Sequence, residues 1–219
     1  MKQKETPTKT IGKYFRDFSI VVAGIAVTLY VNYQVTHQSE KRDLKLYLNA
    51  IKLELAGNIY YLGEERERLL SKEFEYADYL KSHAKNELHQ DTIRYYAKDG
   101  YVHAEVIAFK AAAFEMFKSS GAMRLMQDKE LMQKIWEAYF LMHRHEITLD
   151  KLEQMKMEEI RKWLDERKEN PDVIPLHYFY TSGIYDSYLD GKLNIFEEIS
   201  ELLKEILPEL EKASGKNTK

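Results

Sequence analysis

The 219-residue chain contains seven His and 36 Asp and Glu residues but no Cys. Its candidate metal-ligating side chains are therefore imidazole and carboxylate groups. Thiol catalysis, disulfides and cysteine zinc sites are excluded. The nearest approach to a metal motif is His145-Glu146-Ile-Thr-Leu149. It begins like a zinc-protease helix, but Leu149 stands where a second His, one turn on, would have to share the metal. His143 with Glu146, three apart, and His83 with Glu87, four apart, put pairs of ligand-type groups on one helix face. Such pairs are common in charged helices and read as exposed ion pairs. No Gly-rich phosphate loop is present, and Gly215-Lys216 lacks both the upstream Gly and a following helix. Without a nucleophile elbow the Ser, His and Asp residues have no assigned geometry. The expectation is a chain with no catalytic residue, no cofactor and no metal, and not an enzyme.

The elements that would position these residues are set out by the charges. Residues 1–17 hold Lys2, Lys4, Lys9, Lys13 and Arg16 against Glu5 and Asp17, a net of +3. Residues 18–39 contain no Asp, Glu, Lys or Arg, so the total of −3 leaves −6 for the rest of the chain. A basic head, an uncharged stretch and an acidic body form the layout of a membrane-anchored protein. An acidic body whose cations alternate with acids also disfavours nucleic acid as a partner. The basic residues serve as a topology signal and touch anionic lipid.

The uncharged stretch from Phe18 to Ser39 spans roughly 33 Å as a helix, enough for a hydrocarbon core of about 30 Å. Tyr14 and Phe15 lie at one end and Tyr30 and Tyr33 at the other, as interfacial rings do. A cleaved signal peptide fits less well, because Gly24 and Ala26 leave too short an apolar region before them. The excess of cations before the span predicts a cytoplasmic N-terminus and a periplasmic body at the inner membrane. Ser19 with Ala23, and Gly24 with Thr28, put small residues four apart. That spacing would let a second membrane helix approach closely. The alternative is that small residues simply occur in membrane helices.

The body reads as helical from end to end. Leu44, Leu48, Ile51, Leu55, Ile59 and Leu62 recur at helical spacing, and no Pro interrupts residues 8–170, so the anchor runs on into this helix. A second helix is expected from Lys72 to Leu88 with Phe74, Ala77 and Leu80 on one side. After a turn at Asp99-Gly100, another runs from His103 to Ser119 and is closed by Gly121. Asp128 caps a long helix through Leu131, Met132, Ile135, Tyr139, Met142, Leu149, Leu152 and Met155 to Ile160 and Trp163, ended by Asn170-Pro171. A loop and a break at Asp190-Gly191 precede a last helix from Leu193 to Leu210. The organisation predicted is a basic cytoplasmic N-terminus (1–17), a transmembrane helix (18–39), an all-α bundle (40–212) and a disordered tail (213–219).

The segment from Phe114 through Lys118-Ser-Ser-Gly121 to Tyr139, with the anchor from Gly12 to Thr28 and the charged helix from Glu40 to Leu55, resembles a family of small bacterial proteins, chiefly Bacteroidetes-type. That family has one N-terminal membrane helix, a mostly helical body and no known activity, a domain of unknown function. The likeness covers about half the chain; residues 165–219 lie outside it. At the anchor exit the chain has Asn32-Tyr33 where the family pattern expects an Asn-Trp ending. The resemblance implies the architecture and no catalytic residue.

Among 16 Tyr residues, the cluster Tyr178, Phe179, Tyr180, Tyr185 and Tyr188 is a candidate interaction surface, since rings in and beside a loop can anchor a partner. The competing and favoured reading is that these rings cap and fill the end of the bundle. The function expected is a structural or protein-interaction component of an envelope assembly. Its partners would be the lipid bilayer and either a second copy or another envelope protein. The alternatives are a periplasmic sensory module signalling through a membrane partner and, third, a hydrolytic or metal-dependent enzyme.

Overall fold

A computed structural model describes residues 7–98 and 106–215. The protein is all-α: helices account for its regular structure, with no strand among the described residues. Helix α1, Pro7–Arg68, is 62 residues long and passes without a break from the apolar stretch into the body. It continues through a π turn, Leu69–Glu73, into α2, Phe74–Ser82. The residues flanking the π turn keep right-handed helical dihedrals, so the chain forms one rod of roughly 110 Å at about 1.5 Å per residue. One helix is therefore long and apolar enough to cross a membrane, and its apolar window is exposed throughout.

The π turn has a cause in the packing pattern. Buried positions on the rod run Leu48, Ile51, Leu55, Asn58, Leu62, Glu65 and Leu69 at alternating steps of three and four. The next is Glu73, giving two steps of four in succession. A single wide turn absorbs that extra residue, with the Phe74 N–H bonded to the Leu69 carbonyl five residues back. Beyond it Tyr76, Ala77 and Leu80 face the core, whereas Phe74 is half exposed, against expectation.

Three further helices are short: α3, Gln90–Lys98; α4, Ala112–Ser119; and α6, His177–Thr181. Two are long: α5, Lys129–Glu169, and α7, Gly183–Ser214. The Asp128 carboxylate accepts from the Leu131 N–H at 3.0 Å, and α5 stops before Asn170-Pro171, both as the sequence predicts. Gly121 takes the left-handed conformation (φ 73°) beyond α4, also as expected. Helix α7 departs from expectation. It begins at Gly183, where the Ser182 hydroxyl caps Ile184, runs through Asp190-Gly191 and Pro208, and ends at Ser214. Gly191 is no break: a Cβ there would meet Leu152 Cδ1 at 3.2 Å, so the glycine lets α5 and α7 approach.

The expected helix from His103 is also corrected over its described part, because residues 106–111 are not helical and α4 starts at Ala112. Residues 106–111 form a non-helical strap, and side chains of two helices take up the backbone groups of Phe109 and Lys110. Asn58 donates to the Lys110 carbonyl and accepts from the Lys110 N–H, each at 3.0 Å. Glu146 accepts from the Phe109 N–H at 2.6 Å. Those partners lie 37 and 52 residues from the strap, which is why its own apolar pattern misleads. The Asp99-Gly100 turn, His103 and the tail beyond Gly215 lie outside the described residues.

Rod, α5 and α7 make a three-helix bundle. Asn58–Met142 and Glu73–Lys156 contacts rise together along α1 and α5, which are thus parallel. Lys134–Glu209 and Glu153–Lys192 pairs run oppositely, so α7 is antiparallel to both. The turn after α4 and the end of α7 sit beside Glu40 and Lys45, nearest the apolar stretch of α1, and α2, α3 and α6 lie at the far end.

Candidate functional site

Four charged side chains meet in the core at the π turn: Glu73, Glu153, Lys156 and Lys192, all buried. Lys156 Nζ is 2.8 Å from Glu73 Oε1, and Lys192 Nζ is 2.5 Å from Glu153 Oε1. The half-buried Arg68 reaches Glu73 at 3.2 Å and Glu65 at 3.1 Å. The Tyr188 hydroxyl donates to Glu153 at 2.9 Å and accepts from Lys192 at 3.2 Å. Three cations thus meet three carboxylates, and the cluster is formally neutral, as burial demands. One acceptor, Glu73 Oε2, is buried without a hydrogen-bond partner.

Helix periodicity places these groups. Glu153 and Lys156 lie four and seven residues after Leu149, on the core face of α5; Lys192 lies four after Tyr188 on α7. The apolar pattern of the sequence puts Leu152 and Met155 on that face instead. Leu152 is half-buried and Met155 is exposed at 39%. The signal was available as the continued three-and-four spacing, but apolar residues one position away satisfied the pattern equally well.

Tyr rings wall off the distal side. Tyr76 stacks with Tyr96 at 5.0 Å and meets Tyr180 at 5.1 Å; Tyr180 meets Tyr185 at 4.9 Å, and Phe179 meets Tyr188 at 5.5 Å. The Tyr76 hydroxyl donates to the Pro175 carbonyl at 3.0 Å. Burial first, and the Glu73 charge second, push the phenols of Tyr180, Tyr185 and Tyr188 far above their ordinary range, so they stay neutral. Burial pulls the Lys156 ammonium below its ordinary value, opposed mainly by Glu73. The interaction surface expected at Tyr178, Phe179, Tyr180, Tyr185 and Tyr188 is therefore corrected in four members, which lie in the core. Only Tyr178, 66% exposed, faces solvent.

The other singled-out residues stay apart. His143 Nδ1 is 3.4 Å from Glu146, whose other oxygen holds the strap. His83 faces the Tyr79 carbonyl at 3.0 Å, while Glu87 accepts from the Ala84 N–H at 3.3 Å. His145 Nε2 lies 3.0 Å from Glu198, out of hydrogen-bond alignment. Among the described residues no group of three or more His, Asp and Glu is placed to hold a metal ion. Ser19, Ala23, Gly24 and Thr28 are exposed on α1, with the Thr28 hydroxyl donating to the Gly24 carbonyl at 2.8 Å.

The grooves beside Trp163 and Val173, of about 330 and 520 Å³, contain no member of the charged cluster. Enclosed and internally paired, the cluster fastens the π turn, α5 and α7 in one register. Comparison with protein-family models, curated proteins and solved structures finds no match to this chain.

Proposed function

We propose that the chain is a single-pass inner-membrane protein acting as a structural or protein-interaction component of an envelope assembly. Its N-terminus lies in the cytoplasm and its bundle in the periplasm, and no catalytic role is assigned to it. The observation that carries this reading is the continuity of α1. The helix containing the apolar, charge-free stretch is the same helix that supplies Leu48, Ile51, Leu55 and Leu62 to the bundle core. A bundle built on its own anchor is held at a set height and rotation above the bilayer, which suits a fixed mount for protein contacts. Tests are alkaline phosphatase fused to the C-terminus and crosslinked co-purification from native membranes. An active fusion and a reproducible partner are expected; an inactive fusion reverses the topology, and a monomer with no partner overturns the assembly reading.

One observation favours a second reading, a ligand-sensing module signalling through a membrane partner: a π turn lies within the helix that leads to the anchor. A metabolite that raised the melting temperature of the full-length protein would support it.

A further inference from the structure

Helix α1 turns its core face inward and leaves the opposite face bare. On that outer face Leu46, Leu53 and Tyr60 are 62%, 60% and 68% exposed, at steps of seven. Gly57 lies between them, and a Cβ there would meet nothing within 4 Å. The same line continues into the apolar stretch. Thr28 and Leu46 are 18 residues apart, five turns at about 3.6 residues per turn, and Gly24, Leu53, Gly57 and Tyr60 fall within about 40° of that line. One unbroken face of one helix thus carries small residues in the anchor and exposed apolar residues above it.

Resting on the membrane-anchored reading, we propose that this face is where a second copy of the chain packs, α1 against α1 in parallel about a two-fold axis. Anchoring sets both copies upright at equal height, so each presents the same face at the same level, the condition for a self-complementary contact. The flanks agree in charge. Arg42 and Lys45 lie on one side of the line, about 40° and 100° from it, and Asp43 lies about 60° from it on the other, at the same height, while Glu40 turns inward to pair with Arg124 at 3.6 Å. In a parallel two-fold pair the basic flank of each helix faces the acidic flank of its partner, as in two-stranded coiled coils. Gly24 and Thr28 let the backbones approach within the bilayer, where close packing drives association. Lipid does not suit the upper part: Tyr60 stands roughly 32 Å beyond Ser39 at about 1.5 Å per residue.

The natural chain has no Cys, so single cysteines report the contact directly. Full-length Thr28→Cys, Leu53→Cys and, as a control on the exposed side of α5, Glu137→Cys are oxidised in native membranes. Disulfide-linked dimer at positions 28 and 53, at least about ten-fold above position 137, is expected. Protein in the membrane fraction with no dimer above the control at either position overturns the pairing and leaves the anchor reading intact. A crosslink at position 53 to a protein of different mass overturns the second copy as occupant. Protein found outside the membrane fraction overturns both readings.

Discussion

Lys156 on α5 and Glu73 on the π turn face each other at 2.8 Å with neither side chain reaching solvent. They are 83 residues apart, and the pair joins the long N-terminal rod to α5. Removing Glu73 would leave Lys156 without its counterion in the core, and removing Lys156 would leave Glu73 only the more distant, half-buried Arg68. We expect Glu73→Gln or Lys156→Met alone to destabilise the protein by about 3–5 kcal/mol, whereas Glu73→Leu combined with Lys156→Met restores most of that loss. Thermal unfolding of the full chain in mild detergent reads this as a fall of roughly 6–20 °C for each single variant. Equal losses for the single and double variants would show that the pair is not coupled.

High pH should unfold the bundle cooperatively. Tyr139, Tyr180, Tyr185 and Tyr188 have phenols raised above 10.0, chiefly by burial, so the folded state keeps protons that the unfolded state releases. Their contribution is fully present below the unfolded value and is lost as pH rises above about 10. Lys156, lowered by burial, has the opposite sign, with stability rising up to about its ordinary 10.5. Four groups outweigh one. Tyrosinate absorbance should therefore rise in two stages, exposed rings first and the buried set together with loss of helical circular dichroism. A single smooth titration with helix content intact would contradict this.

Glu54 ties α4 to the bundle. Its carboxylate accepts from the Ala113 N–H at 2.8 Å and from the Tyr139 hydroxyl at 2.6 Å. Glu54→Ala should cost about 2–3 kcal/mol, since a charged acceptor serving three part-buried donors, the Phe114 N–H at 3.4 Å included, is lost. Hydrogen exchange should quicken at Ala113 and Phe114 more than at Ile135 or Ile199. Uniform acceleration would mean that the residue acts only on global stability.

Two glycines should respond in opposite directions to Ala. Gly121 holds φ at 73°, so Gly121→Ala should cost about 1–2 kcal/mol. Gly63 is helical with open space around it, and Gly63→Ala should stabilise by about 1 kcal/mol. Urea midpoints moving in the same direction for both would refute the distinction.

Much of the architecture is local, and local features are legible in sequence. The charge-free run from Phe18 to Ser39, the absence of Pro from residues 8–170, the Asp128 cap, Gly121 and Asn170-Pro171 determined one apolar N-terminal helix, its continuation into the body, and the start and end of α5. Each rests on groups within a few residues of one another, where backbone sterics and hydrogen bonding decide the outcome. Tertiary structure alone decided the rest. The strap at residues 106–111 is not helical because Asn58 and Glu146 take up the backbone groups of Phe109 and Lys110. Tyr180 on α6 and Tyr185 and Tyr188 on α7 are core residues because α6 and α7 pack on each other and α6 meets Tyr76 of α2. Glu73, Glu153, Lys156 and Lys192 are tolerated inside because each cation meets a carboxylate from a distant turn of helix. Whether a charge can be buried depends on what stands opposite it in space, and a periodic pattern along one helix carries no record of that partner.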